Sequence, residues 1–308
     1  SHPSGGSGQQ NGKETTSEYM MTDIQYLAPT TLDEAIRAYA AADGTGHILA
    51  GGTDLLVQTQ AGMVQPGLIV DIKNITDVTG IERAADGGFI VGAAVAGAAL
   101  EKHTDFATAW PGVLEGLNLI GSTQIQGRAS LGGNLCNGSP AADSVPALVA
   151  AGAILSVQGP DGRREIAVED VPAGPGKTNL KPGEIAVSFA FPPRTKGASD
   201  AYLRMIPRTE MDIAVVGCGV NLTIEGGVCT AARVGLGAVA PTVLLVEKAA
   251  NALIDSKLDD DAITAAAAAC SAACNPIDDK RGTVEYRTRV AGVLLKRVVG
   301  IAAERAQA

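Results

Sequence analysis

Histidines and aromatic side chains are scarce in this chain: three histidines, one tryptophan, four phenylalanines and five tyrosines in 308 residues. So few imidazoles leave a histidine-based metal centre without ligands. The five cysteines (Cys136, Cys218, Cys229, Cys270 and Cys274) form an odd set with no CxxC pair. Neither a zinc nor an iron–sulfur ligand pattern is therefore present, and a reducing, cytoplasmic setting is expected. Apolar runs long enough for a bilayer are absent too, which excludes a membrane span. Acidic residues outnumber basic ones, 33 against 24 for a formal charge of -9, so the clustered cations of a nucleic-acid surface are missing. What remains is a chain with 46% hydrophobic residues, long enough for two domains, whose core must be built from Ala, Val, Leu and Ile. Small ligands and protein partners are the classes left open.

Residues 1–21 are poor in apolar side chains and lack the apolar stretch of a signal peptide, so a solvated tail or tag remnant is expected there. Folding is expected from Tyr26 onward. Thr31 and Glu34 stand in capping-box register ahead of a helix with Leu32, Ala35, Ile36, Tyr39 and Ala40 on one face. Residues 47–50 read as a short buried strand running into Gly51-Gly52, with a helix starting around Thr53 and Asp54, and residues 68–72 as a strand covered on both faces. Past Phe89, strands alternate with helical stretches, with a hairpin at Gly159-Pro160-Asp161-Gly162 and a linker at residues 192–197. Residues 212–224 and 228–239 then predict two long strands, followed by helices near 243–254, 261–273 and 284–305. A hairpin with three helices makes a second, α+β domain.

Two glycine pairs carry the chemical information. A strand, the Gly51-Gly52 turn and a helix would place free N–H groups at one point, as an anion site requires, provided that Asp54 points away and caps the backbone. In Ser130-Leu131-Gly132-Gly133-Asn134 the glycines offer N–H groups, Ser130 and Asn134 offer short polar side chains, and Asp143 can accept two hydroxyl hydrogen bonds as a ribose requires. Taken singly, each pair also suits a plain turn, with Asp143 capping a helix over 144–151. Gly235-Leu236-Gly237-Ala238-Val239-Ala240 matches the dinucleotide fingerprint, but its strand belongs to a hairpin and Pro241 interrupts the helix that should follow. Cys270 and Cys274 read as packing residues, His47 and His103 as structural or exposed, and Cys136 as the thiol nearest a ligand.

The two segments, with Asp143, Leu180-Lys181-Pro182-Gly183-Glu184-Ile185, Met211-Asp212-Ile213-Ala214, Gly235 to Thr242 and Tyr286-Arg287, resemble the flavin-binding medium subunit of molybdenum hydroxylases, the family of xanthine dehydrogenase and aerobic carbon monoxide dehydrogenase. The likeness spans residues 22–305. It implies an α+β fold: a FAD-binding domain of the PCMH/VAO type, built of two α/β subdomains, over 22–198, and a C-terminal α+β domain over 199–308. It implies FAD as cofactor, its diphosphate embraced by Ala50, Gly51, Gly52, Thr53 and Asp54 and by Ser130, Leu131, Gly132, Gly133 and Asn134, with Asp143 at the adenosine part. Arg204 stands where some relatives carry a lysine near the flavin, Tyr202 and Arg208 are expected beside it, and Ile185 is an apolar contact. Electrons would pass from a small iron–sulfur subunit through the FAD to an external acceptor while a large molybdopterin subunit oxidises the substrate, in a heterotrimer that dimerises. No metal, extra cluster or catalytic base is expected in this chain. The alternatives are a self-sufficient PCMH-type flavin oxidoreductase, which would need its own substrate pocket and proton acceptor, and an assembly subunit without flavin.

Overall fold

The computed structural model of the protein describes residues 24–208 and 211–308, so the tail expected at 1–21 lies outside the described residues. Strand β1 (Gln25–Leu27), helix α1 (Leu32–Ala41), β2 (Gly46–Leu49), α2 (Leu55–Gln60) and β3 (Leu68–Asp71) form the first unit, a parallel sheet in the order β1-β3-β2. Thr31 Oγ1 accepts the Glu34 N–H at 3.3 Å, and in return Glu34 Oε2 accepts the N–H of Thr30 rather than that of the cap residue. α1 thereby starts with Leu32, Ala35 and Ile36 turned inward, against Val70 on the central strand and Ile185 and Val187 from later in the chain.

The second unit runs through α3 (Thr76–Thr79), β4 (Ile81–Arg83), β5 (Phe89–Gly92) and the short helices α4 (Gly97–Glu101), α5 (Thr104–Ala109), α6 (Pro111–Leu117) and α7 (Thr123–Gln126). It continues with α8 (Leu131–Cys136), α9 (Ser144–Ala151), β6 (Ile154–Gly159), β7 (Gly162–Ala167), the small pair β8 (Pro172–Gly174) and β9 (Lys177–Thr178), and β10 (Ile185–Phe191). Its antiparallel sheet has the order β4-β5-β10-β6-β7, with β6 and β7 joined by the expected hairpin. The few aromatics gather here: Phe106 meets Phe89 and Phe191 edge-on at centroid distances of 5.3 and 5.1 Å, and Trp110 packs on Phe191.

Beyond the linker lies a strand that the hydrophobic pattern hides, β11 (Ala198–Met205). It reads as polar because it buries Ser199 and Asp200, and Asp200 is satisfied by Arg194 Nη2 at 2.6 Å and the Val113 N–H at 3.1 Å. β11 joins β12 (Val216–Glu225), β13 (Val228–Gly237) and β14 (Leu244–Leu245) in an antiparallel sheet in that order. The helices α10 (Glu247–Leu253), α11 (Asp260–Ala273) and α12 (Val284–Gln307) complete this unit, and Cys270 on α11 packs in its core as expected.

Helix α9 joins the units. All eight of its residues are buried, and it lies on β12 and β13 where Gly219 pairs with Gly235 and Gly217 with Gly237. A Cβ at Gly219 would come 2.7 Å from the Pro146 carbonyl oxygen, one at Gly235 would strike the same oxygen, and one at Gly237 would come 2.6 Å from Pro146 Cγ. The GxGxxA sequence is thus a seat for the backbone of α9, not a nucleotide fingerprint.

Candidate cofactor site

At the end of β2 the Leu49 carbonyl accepts the Ile72 N–H at 3.1 Å and the chain leaves the sheet. Gly52 turns it with φ +77°, a conformation that only glycine adopts without strain. Leu56 makes the first helical bond, to Gly52 O at 3.1 Å. The N–H groups of Gly51, Gly52, Thr53, Asp54 and Leu55 therefore have no acceptor among the described residues. Five successive free donors in a tight turn form a concave cradle for an anion. Asp54 occupies the N-cap position of α2 but makes no capping bond, contrary to expectation.

The stretch leading into the second glycine pair, Arg128 and Ala129, lies directly against this turn. A Cβ on Gly51 would fall on the Arg128 carbonyl, 2.6 Å from its carbon and 3.1 Å from the Ala129 nitrogen, so the two segments touch backbone to backbone. Residues 131–136 are helical rather than looped, because Ser130 Oγ caps α8 by accepting the Gly133 N–H at 3.1 Å. Gly132 donates to Ala93 O at 3.0 Å and rests on that residue, leaving no room for a side chain. The N–H groups of Gly132 and Gly133, read from the sequence as ligand donors, are thus engaged within the chain. Asn134 Oδ1 accepts both the backbone N–H of Ser144 at 3.2 Å and its hydroxyl at 2.6 Å. Asn134, not Asp143, caps α9.

Both segments open into one cleft of about 580 Å³, within the size range of cofactor sites. Of the residues expected from the sequence, Ala50, Gly51, Gly52, Thr53, Asp54, Ser130, Gly132, Gly133, Asn134 and Ile185 line it. His47 and Cys136 line it as well, and burial pushes the Cys136 thiol up to about 12, which favours its protonated form at neutral pH. Tyr39, Gln58 and Asn137 were not foreseen; Gln58 Nε2 donates to Asn137 Oδ1 at 2.9 Å and pins α2 to α8. Every lining residue lies before residue 187.

Leu131, Asp143 and Arg204 do not line this cleft. Leu131 is in the core. Asp143 accepts from Arg204 Nη1 at 2.6 Å and from the Tyr202 hydroxyl at 3.1 Å, which joins the start of α9 to β11, while Arg204 Nε is buried with no partner among the described residues. Asp143 therefore holds two protein donors where a ribose was expected. Burial pushes its carboxyl up to about 6 against the pull of Arg204, and burial does the same for Asp200. A carboxyl raised in the folded chain stabilises it most at low pH, and that contribution is lost as pH rises through about 6. By contrast, hydrogen bonds from Arg164 hold Glu184 below the usual carboxylate range, and its contribution is lost only as pH falls through that lowered value. Urea unfolding is expected to show higher stability at pH 5 than at pH 7.5, with a decline once acidification goes on past the ordinary carboxylate range. A monotonic fall from pH 7.5 downward would contradict these burial effects.

Residues 22–194 match the family described as FAD binding domain in molybdopterin dehydrogenase, and residues 201–302 match the CO dehydrogenase flavoprotein C-terminal domain. The chain belongs to this flavoprotein family. It is 33% identical to the carbon monoxide dehydrogenase medium chain of Afipia carboxidovorans over 92% of this chain and 98% of that one. It is also 29% identical to a xanthine dehydrogenase FAD-binding subunit of Escherichia coli O157:H7, over 91% and 96%. Among solved structures, reconstituted CO dehydrogenase from Oligotropha carboxidovorans superposes with a TM-score of 0.88 at 32% identity, over 92% of this chain and 98% of that one. The expected fold and cofactor class therefore hold: the chain is the FAD-binding medium subunit of an oxidoreductase of the molybdenum hydroxylase type. The flavin subunit's free amide cradle and glycine contacts fit the dianionic linker of FAD. Among its described residues no helix is long and apolar enough to cross a membrane.

Proposed function

We propose that this flavin subunit conducts electrons from the iron–sulfur clusters of a small partner to an external acceptor, while a large molybdopterin partner oxidises the substrate. The observation that carries the reading is the meeting of the two glycine segments in one cleft, with the N–H groups of residues 51–55, which have no acceptor among the described residues, on its wall. These amides, with Ser130 and Asn134, would hold the FAD diphosphate, and Ile185 would pack beside the cofactor. FAD, when bound, supplies the electron acceptance and release, so the protein needs to position it and shape its surroundings. The division at residues 198 and 199, a heterotrimer that dimerises, and a cytoplasmic setting that suits five free thiols belong to the same proposal.

Visible absorption of the purified or FAD-reconstituted chain is the test. A flavin band near one FAD per chain is expected, and a colourless protein that cannot be loaded would reduce the chain to an assembly subunit. Turnover of the isolated chain with a dye acceptor and a small-molecule donor would favour the self-sufficient oxidoreductase instead. Co-purification with an iron–sulfur chain and a molybdopterin chain would support the proposed complex.

A further inference from the structure

Ser144 lies outside the cleft, fully buried at the first turn of α9, yet both of its donors point at one atom of a cleft residue, Asn134 Oδ1. A backbone N–H can only donate, so the amide orientation of Asn134 is decided by chemistry: its oxygen must face α9 and its Nδ2 must face the other way. Nδ2 has no acceptor among the described residues, and Asn134 lines the cleft.

We infer that Ser144 is a positioning residue for FAD: by holding Asn134 Oδ1, it aims the Nδ2 donor of Asn134 into the cleft toward the cofactor diphosphate. This rests on the FAD reading above. The need for such a donor is plain from the second segment itself, because the Gly132 and Gly133 N–H groups are spent on Ala93 and Ser130. The side-chain donors left in that segment are the Ser130 hydroxyl proton and the Asn134 amide. The support is rigid. α9 is buried along its whole length, and Gly219, Gly235 and Gly237 seat Pro146 against the C-terminal sheet, so Ser144 cannot follow a flipped amide. The C-terminal unit thus governs a donor in a cleft to which it contributes no lining residue.

The full chain, stripped of flavin and titrated with FAD by fluorescence quenching, separates the parts of this inference. Asn134→Asp keeps an acceptor for Ser144 but turns the cleft-facing donor into a negative charge. Its melting temperature is expected to stay near that of the wild type, while FAD binds roughly 30-fold more weakly at pH 7.5. As pH falls and the introduced carboxyl is protonated, its donor returns, so the affinity gap is expected to narrow; a purely structural role gives no such profile. Ser144→Ala removes one of the two bonds that hold the amide and is expected to weaken FAD about 5-fold. Wild-type FAD affinity in a folded Ser144→Ala overturns the positioning role of Ser144; should that variant fail to fold, Ser144→Cys, whose thiol is a far weaker donor, takes its place. Wild-type affinity in Asn134→Asp overturns the inference while leaving FAD binding intact, whereas a wild-type chain that takes up no FAD overturns the underlying reading as well.

Discussion

Replacing Gly51 with alanine is expected to give a folded chain that purifies with little or no flavin. The new methyl would lie on the Arg128 carbonyl, within 2.6 Å of its carbon and 3.1 Å of the Ala129 nitrogen, and these are backbone atoms with no rotamer to change. Relief requires the two segments to separate by about 1 Å, and misplacement of a binding group on that scale costs on the order of 100-fold. The overpacking itself costs about 1–3 kcal/mol, which lowers the melting temperature but leaves most of a chain of this size folded. Gly300→Ala is the internal control. Its Cβ would meet nothing within 4 Å, on a helix that does not line the cleft, so flavin content is expected to stay near that of the wild type. The flavin-to-protein absorbance ratio of the two variants, with a fluorescence titration of FAD, checks the comparison. Full flavin content in Gly51→Ala would remove the reason for treating the segments as one site.

Gly235→Ala is expected to destabilise the chain strongly, by about 3 kcal/mol. The methyl would strike the Pro146 carbonyl oxygen and lie 3.1 Å from the carbonyl carbon, between a central strand and a helix that is buried along its length. Neither element has slack, since β13 is hydrogen-bonded to both β12 and β14. Gly300, on the exposed side of α12 with nothing within 4 Å, supplies the contrast: Gly300→Ala should stabilise the chain by about 0.5–1 kcal/mol. Urea midpoints for the two variants should move in opposite directions. A loss below about 1 kcal/mol in Gly235→Ala would mean that α9 can lift from the sheet.

The parts of the site that the sequence displays are those whose residue type is dictated locally. Gly51 and Gly52 follow a short, partly buried strand and stand where a turn needs glycine, so the first half of the cleft is legible before any coordinates. α8 is not, because a Gly-Gly pair argues against a helix, and only the cap from Ser130 and the contact of Gly132 with Ala93 supply what propensity withholds. β11 escapes notice because its buried Asp200 depends on Arg194 and Val113, partners that alternation cannot reveal. The exchange of roles between Asp143 and Asn134 has the same origin. Spacing places Asp143 beside α9, but Arg204 and Tyr202, about sixty residues later, claim its carboxylate, and the capping falls to Asn134, ten residues before Ser144. Likewise, the GxG run is a sound nucleotide signal until Pro146, nearly ninety residues upstream, is found resting on it.

The burial of α9 bears on how the chain is made. All residues lining the cleft leave the ribosome before residue 187, but α9 has no sheet to lie on until β12 and β13 have followed. During that interval α9 is packed on the core of the second unit, but its other face stands bare and Ser144 lacks the support of the sheet. Flavin capture is accordingly expected late in synthesis, and a nascent chain stalled before Val228 is expected to combine an almost complete pocket with poor retention of its coenzyme.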